Sequence, residues 1–309
     1  MAALSSNVAI AVAKLVAFGF SGSSSMLAEG IHSLADSGNQ ILLLIGGKRS
    51  KRAASDEHPF GYGRERYVYG FLVAVVLFSL GGLFAVFEGY EKIKSPHPLD
   101  NVAWPLGVLA FSILAEGYSF RTALAEARHL RGRQTWVGFI RHAKAPELPV
   151  VLLEDFGALI GLLLALLGVV LTAITHDGVW DGIATTAIGL LLACAALVLG
   201  VETKSLLLGE GAAAPQLRRI RAALVDGEVV TSVIHMRTMH LGPDELLVAA
   251  KIGVEHDDTA AEVARAIDAA EARVRAAVPI ARVIYLEPDI RRPVATEGGQ
   301  EASSADVVG

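Results

Sequence analysis

Residues 148–175 read LPVVLLEDFGALIGLLLALLGVVLTAIT, a long apolar run that contains two acids, Glu154 and Asp155. A helix needs about 20 mostly apolar residues to cross the hydrocarbon core of a bilayer. The stretch therefore predicts a transmembrane α-helix with carboxyl groups inside it. Five other segments have a similar composition, at about 5–22, 25–47, 67–90, 102–120 and 181–205. Together they predict a polytopic α-helical membrane protein with a six-helix transmembrane bundle over residues 1–206.

The composition supports this class. Hydrophobic residues make up 53% of the 309 residues and charged residues 19%, whereas about 25% of a typical soluble domain is charged. The single cysteine, Cys194, excludes a disulfide framework and a zinc site built from cysteines. No phosphate-binding loop of the P-loop type occurs. We therefore expect the lipid bilayer as a partner, and no nucleic acid.

Basic residues are concentrated in two loops. They are Lys48, Arg49, Lys51, Arg52, Arg64 and Arg66 in one loop, and Arg121, Arg128, Arg131, Arg133, Arg141 and Lys144 in the other. The loops on the opposite side carry only Lys92 and Lys94. The positive-inside rule places both basic loops, and hence both termini, in the cytoplasm. We expect a multi-pass protein of a bacterial inner (plasma) membrane.

The polar character increases after residue 206. Residues 207–290 predict a small α+β cytosolic domain in the order α-β-β-α-β, with a three-stranded sheet. Its predicted elements are a helix at 213–226, strands at 229–240 and 245–253, a helix at 259–277 and a strand at 281–286. Residues 291–309 are polar and rich in Gly, Ser and Glu, which predicts a disordered tail.

Ionisable residues within the second segment point to a metal site. His32 and Asp36 lie in AEGIHSLADSGNQ (residues 28–40), four positions apart and therefore on one helix face. Imidazole nitrogen and carboxylate oxygen suit Zn²⁺ and other borderline divalent ions. Two ligands cannot complete a tetrahedron, so Asp155 is the candidate third ligand, and Glu154 or water the fourth.

Two alternatives leave out the metal. His32 and Asp36 alone can form a hydrogen-bonded pair that bridges helices. Glu154 and Asp155 can be protonated, or paired with Lys14 of the first segment. Charge at membrane depth is costly, and one metal site explains several such groups together.

Motifs along most of the chain carry a family resemblance. They are Lys14, HSLAD (32–36), HPFGYGRER (58–66), Glu88, EGYSF (116–120), LLED (152–155), VWDGIATTAIGLLL (179–192) and IYLEP (284–288). With these motifs in this order, the chain resembles the cation diffusion facilitator family of zinc-transporter-type metal/proton antiporters. EGYSF and LLED look like the branch that includes the mitochondrial zinc-transporter homologue.

The resemblance implies a secondary active transporter rather than an enzyme. It would export a divalent transition metal, zinc first, by metal/proton antiport with alternating access. The resemblance also implies a ferredoxin-like cytosolic domain and a homodimer. In the family, two ligands come from the second span and two from a His-x-x-x-Asp on the fifth. His32, Asp36 and Asp155 match, but Val151 stands at the second histidine's position, so Glu154 is the candidate for the missing ligand. A harder donor set favours Mn²⁺ or Fe²⁺ more than a fully matching site does.

Several other residues are weaker candidates. His58 and Asp56 match part of a second metal site, with Tyr62 at a further histidine position; Lys251 and Tyr285 replace histidines of the relatives' cytosolic site. The remaining His235, His240, His256, Glu287 and Asp289 are scattered and favour a solvated sheet face. Glu116 either lies on the ion path or contacts Arg121, and Asp181 is the type of acid found in the first turn of a helix.

Two other functions are compatible with the same fold. One is a non-transporting membrane dimer that senses metal or acts as a scaffold. The other is a transporter of an organic cation, which the 6% aromatic content disfavours.

Overall fold

The computed structural model describes residues 2–96, 102–132, 135–136, 138–139, 143–145 and 147–290, and gives only the backbone of residues 2–7 and 130. The predicted disordered tail lies outside this range. The chain divides into two compact units. Residues 2–212 form the first unit together with 239–246, and residues 213–238 form the second with the described residues from 247 onward.

Within the described residues, the first unit contains six long helices, in the order of the six predicted segments. They are α1 (Ala2–Ser21), α2 (Ser24–Arg49), α3 (Glu65–Lys94), α4 (Ala103–Arg131), α5 (Glu147–Thr175) and α6 (Val179–Leu208). By length and composition, α3, α5 and α6 are each long and apolar enough to cross a membrane, and Val8–Ser21 is a shorter apolar helix. The candidate site is formed by polar groups of α2 and α5, with α1 and α4 beside them.

The start of α2 is held by two acceptors. Ser23 is its N-cap, and the Ser23 side chain accepts a hydrogen bond from the amide of Met26. Asp181, in the first turn of α6, accepts a hydrogen bond from the backbone amide of Ser24 (2.7 Å) and another from the Ser23 hydroxyl (2.9 Å). The predicted first-turn position of Asp181 is confirmed. The same carboxylate also satisfies amide groups that have no acceptor within α2.

Glycines allow α3 and α6 to pack with their backbones in contact. A Cβ atom at Gly89 of α3 would lie 2.6 Å from the backbone nitrogen of Thr186. A Cβ atom at Gly189 of α6 would lie 2.6 Å from the backbone nitrogen of Val86. Such close approach through small residues is typical of membrane helix pairs. α3 and α6 therefore form a closely packed pair.

α3 is not a uniform α-helix. Its central part, Leu77–Leu83, is a π-helix that contains Gly81 and Gly82. Segments of π-helix are uncommon and insert extra residues into the turns of a helix. Leu77 is fully buried there and belongs to the main apolar core of the bundle.

The second unit has the predicted element order. Its elements are α7 (Ala214–Leu224), β1 (Ser232–Gly242), β2 (Glu245–Val254), α8 (Ala260–Ala277) and β3 (Ala281–Ile290). The three-stranded sheet has the order β1-β2-β3, and the tip of the β1–β2 hairpin, residues 239–246, groups with the first unit. α8 begins at a capping box, in which the Thr259 and Glu262 side chains each accept a hydrogen bond from the other's amide.

Candidate metal site

The candidate site begins with a stripe of polar side chains on α2. Glu29, His32, Asp36 and Asn39 follow one another at intervals of three or four residues, which places them within an arc of about 80° on the helix. Glu29, His32 and Asn39 are buried, and the Asp36 side chain is 14% exposed. This stripe supplies imidazole, carboxylate and amide donors within one helix face.

Two contacts align the stripe with α5. At one end, the side-chain amide of Asn39 donates a hydrogen bond to Glu154 Oε1 over 2.7 Å. At the other end, Glu29 Oε1 lies 2.5 Å from the position that a Cβ atom would take at Gly161. His32 and Asp36 come between Glu29 and Asn39 on α2. They therefore lie along the stretch of α2 that faces α5.

The two acids of α5 point in different directions. Glu154 is buried against α2, whereas Asp155 is partly exposed and accepts a hydrogen bond from the Ser119 hydroxyl of α4 at 3.0 Å. Adjacent residues on a helix are about 100° apart. Val151 packs against an apolar cluster with Ala123 of α4. Of the α5 residues weighed as ligands, the structure brings Glu154 to the α2 stripe and places Asp155 beside α4.

Several buried atoms of the stripe have no hydrogen-bond partner. They are Glu29 Oε1, both ring nitrogens of His32, Asp36 Oδ1 and Asn39 Oδ1. His32 Nδ1 and Asp36 Oδ1 are 3.5 Å apart, which is longer than an ordinary hydrogen bond. The hydrogen-bonded His32–Asp36 pair considered above is therefore absent here. Buried polar atoms without a hydrogen-bond partner cost free energy. A hydrated cation would supply partners for imidazole, carboxylate and amide groups of this kind.

The candidate ligands are not close enough to one another to form a complete metal site. Within the part of the chain that the structure describes, no group of three or more His, Cys, Asp or Glu side chains is close enough to hold a metal ion. A cavity of about 10 Å³ lies beside Asp36 and is also lined by Ile10, Ser33 and Glu116. It is large enough for about one water molecule. Glu116 therefore lies beside Asp36, and its place on the ion path stays a prediction.

Lys14 pairs with a different acid from the two considered above. Its ammonium group lies 3.0 Å from Glu29 Oε2 and donates a hydrogen bond to the Ser33 hydroxyl at 2.7 Å. Both Lys14 and Glu29 are fully buried. The pairing of Lys14 with Glu154 or Asp155 is therefore wrong. The acid that it neutralises lies on α2, the neighbour of α1 in the bundle.

The weaker candidates do not form compact sites. The His58 ring lies against Tyr62, with centroids 4.6 Å apart, in an exposed loop. His235 and His256 are exposed, whereas His240 is buried.

A lysine joins two acids of the cytosolic sheet. Lys251 Nζ lies 3.0 Å from Asp289 Oδ2 and 3.2 Å from Glu287 Oε1. The hydrogen bonds that Lys251 donates to these two acids raise its pKa, so its ammonium remains the cation between them.

Two features of the site were not predicted from the sequence. Asn39 follows Asp36 by three residues, and this spacing was available as a signal that it extends the stripe. The Lys14–Glu29 pair joins residues of different helices, and nothing local in the sequence marks it.

Residues 1–208 match the family model described as the cation efflux transmembrane domain. The mitochondrial proton-coupled zinc antiporter SLC30A9 of Xenopus laevis is 27% identical over 241 residues, which cover 77% of this chain and 43% of that protein. Metal tolerance protein C4 of Arabidopsis thaliana is 28% identical over 229 residues, which cover 74% of this chain and 50% of that protein. The uncharacterized transporter MJ0449 of Methanocaldococcus jannaschii is 25% identical over 240 residues, or 77% of this chain and 78% of that protein. The matched segment thus spans half or less of the first two relatives.

Proposed function

Because this chain belongs to the cation efflux family, we propose that it exports divalent transition-metal cations, zinc first with Mn²⁺ or Fe²⁺ as further substrates, in exchange for protons. The observation that carries the proposal is the α2 stripe, whose unpaired imidazole and carboxylate atoms lie between the two contacts of α2 with α5. The zinc assignment is supported by the donor types and by the printed name of the mitochondrial relatives.

The proposed metal ligands are His32, Asp36 and the acid pair Glu154 and Asp155. Glu154 is supported by its contact with Asn39 of α2, and Asp155 by the sequence match to the family. These residues supply nitrogen and oxygen donors from two helices. Ligands on two helices allow a small relative movement of α2 and α5 to make or break the metal site.

Protons compete with the metal because imidazole and carboxylate must lose their protons before they coordinate a cation. In the proposed cycle, the metal binds from the cytoplasm and the bundle changes its opening. Protons from the other side then displace the metal. His32 suits this exchange because the charge of an ordinary histidine changes near neutral pH.

The proposal includes the arrangement of the whole protein. All six helices of the first unit span the membrane, and both termini lie in the cytoplasm, as the distribution of basic residues favours. The second unit is ferredoxin-like and pairs with a second copy to form a homodimer. The membrane is the inner (plasma) membrane of a bacterium.

Transport into proteoliposomes tests the proposal. Wild type, Asp36→Ala and His32→Ala are compared for uptake of Zn²⁺, Mn²⁺, Fe²⁺ and Cd²⁺ under an imposed pH gradient. We expect both variants to lose at least about 100-fold of the zinc flux, since a ligand matters at least as much as the groups that orient it. Glu91→Ala, which removes an exposed acid of α3, is the matched control.

The same assay separates transport from the alternative functions. Zinc binding without flux under any pH gradient would overturn the transport proposal and favour a sensor or scaffold. Undiminished flux in Asp36→Ala would show that the ion crosses elsewhere.

A further inference from the structure

The buried Lys14–Glu29 pair is not explained by stability. Both side chains are fully buried, and both belong to helices of the proposed transmembrane unit. Burying two charges costs so much free energy that apolar residues of similar volume are often equally stable or better. Ionisable residues at membrane depth generally have a functional role.

The position of Glu29 relates it to the metal ligands. It lies one turn before His32 on the same face of α2, towards the N-terminal end of the helix. The opposite end of α2 carries Lys48 and Arg49, which mark the proposed cytoplasmic side. An ion that leaves His32 and Asp36 on the side away from the cytoplasm therefore meets Glu29 next.

Glu29 has one carboxylate oxygen available. Oε2 contacts Lys14, whereas Oε1 is buried, unpaired and directed at Gly161 of α5. A side chain at position 161 would collide with this oxygen, because its Cβ atom would be 2.5 Å away. The glycine therefore leaves room for this oxygen at the α2–α5 interface.

Lys14 has possible partners on two sides. Its ammonium touches Glu29 and, one turn further along α2, the Ser33 hydroxyl. Ser33 borders the small cavity that Asp36 and Glu116 also line. The Glu29 carboxylate therefore lies on one side of the Lys14 ammonium, and the carboxylates of Asp36 and Glu116 lie on the other.

We propose that Glu29 is a second binding site for the transported cation. In this proposal Lys14 is a tethered cation, whose ammonium group occupies the Glu29 carboxylate until the metal arrives. This rests on the proposed function. The metal passes from Asp36 to Glu29, while the Lys14 ammonium moves in the opposite direction, from Glu29 to the carboxylates of Asp36 and Glu116. Each acid then keeps a positive partner throughout the step. The exchange avoids leaving a bare carboxylate or a bare ammonium inside the bundle, either of which would be costly.

Zinc binding and zinc flux are measured on the purified full-length chain for wild type, Lys14→Met, Glu29→Gln and the double variant. Lys14→Met should bind one additional zinc equivalent, because Glu29 is no longer filled, and its flux should fall at least tenfold. Glu29→Gln and the double variant should bind the same number of ions as wild type and also lose at least tenfold of the flux. Lys94→Met, at an exposed lysine of α3, is the control for the same substitution.

The outcomes are distinct. Wild-type flux in the double variant, which has no unpaired buried charge and so should fold, would overturn the role of Glu29. Failure of Lys14→Met to bind an additional zinc would overturn the role of Lys14 as a tethered cation. Absence of zinc flux in the wild type would instead contradict the proposed function, and the stoichiometry of Lys14→Met would still report on the Glu29 site.

Discussion

Asn39 of α2 donates a hydrogen bond to Glu154 of α5 over 2.7 Å, and this contact fixes which acid of α5 faces the candidate ligands. The next residue, Asp155, is turned by about 100° and bonds to α4 instead. The family match favours Asp155, whereas the packing favours Glu154. Substituting each acid separately distinguishes the two.

Glu154→Gln is expected to weaken zinc binding at least tenfold, and more than Asp155→Asn does, because it removes the carboxylate that faces α2. Isothermal titration of the purified protein with Zn²⁺ measures both affinities. A larger loss in Asp155→Asn would mean that α5 turns about its axis when the metal binds. Asn39→Ala, which removes the partner of Glu154 but no proposed ligand, should weaken binding less than Glu154→Gln.

Asp181 connects the start of α2 to α6, and its loss should destabilise the bundle. Asp181→Ala removes the acceptor of the Ser24 amide and of the Ser23 hydroxyl, and leaves buried donors unpaired. An unpaired buried donor costs about 1–3 kcal/mol. We expect a lower unfolding temperature in detergent, with Glu91→Ala unchanged. An unfolding temperature equal to that of wild type would show that water replaces the carboxylate.

Substitutions by alanine at Gly189 and at Gly117 should change the free energy of unfolding in opposite directions. Gly189→Ala places a methyl group 2.6 Å from the Val86 nitrogen, and such overpacking costs about 1–3 kcal/mol. Gly117→Ala of α4 meets nothing within 4 Å. Gly117→Ala should raise the free energy of unfolding by up to about 1 kcal/mol, because alanine favours the helix more than glycine does. Thermal unfolding of both variants in the same detergent tests the contrast, and equal shifts would contradict it.

Asp226 gives the second unit a pH-dependent anchor. Burial alone would raise its pKa, but hydrogen bonds from the amides of Glu228 and Val230, together with the Arg273 guanidinium, hold the pKa below its usual value. A lowered folded-state pKa stabilises the fold fully above the unfolded pKa of about 3.9, and this contribution is lost as the pH falls through the lowered value.

Asp226→Asn should therefore destabilise the second unit at pH 7 by about 1 kcal/mol. The difference from wild type should shrink as the pH falls below about 4. Thermal unfolding of the full-length chain, followed by circular dichroism at pH 7 and pH 3, measures both. A penalty that is the same at the two pH values would show that the charge of Asp226 has no role.

The helices could be predicted because apolar length is a local property. The predicted segment 148–175 corresponds to Glu147–Thr175, and 181–205 to Val179–Leu208. The predicted segment 102–120 ends too early, since α4 continues to Arg131. The polar continuation of a helix does not carry the apolar signal from which the segment was predicted. The first strand starts at Ser232 rather than 229, because Asp226 holds residues 226–230 in a turn.

The identity of the site was predictable only in part. The membership of the family confirms a transporter rather than an enzyme, whereas the metal and its ligands stay predictions. The His32–Asp36 spacing was visible along one helix. The direction of Glu154 and the partner of Lys14 depend on how each helix is rotated against its neighbours. That rotation is set by packing between distant residues, such as Glu29 against Gly161.

The π-helical part of α3 determines which way the rest of that helix faces. From Leu77 onward, buried residues recur every fourth position, at Leu77, Gly81, Ala85 and Gly89. In an ordinary α-helix four residues turn about 400°, so three such steps would accumulate a phase error of about 120°. The wider turns of Leu77–Leu83 offset this drift. Deleting one residue there would restore the common helix but rotate everything after it by about 100°, and Gly89 would leave α6.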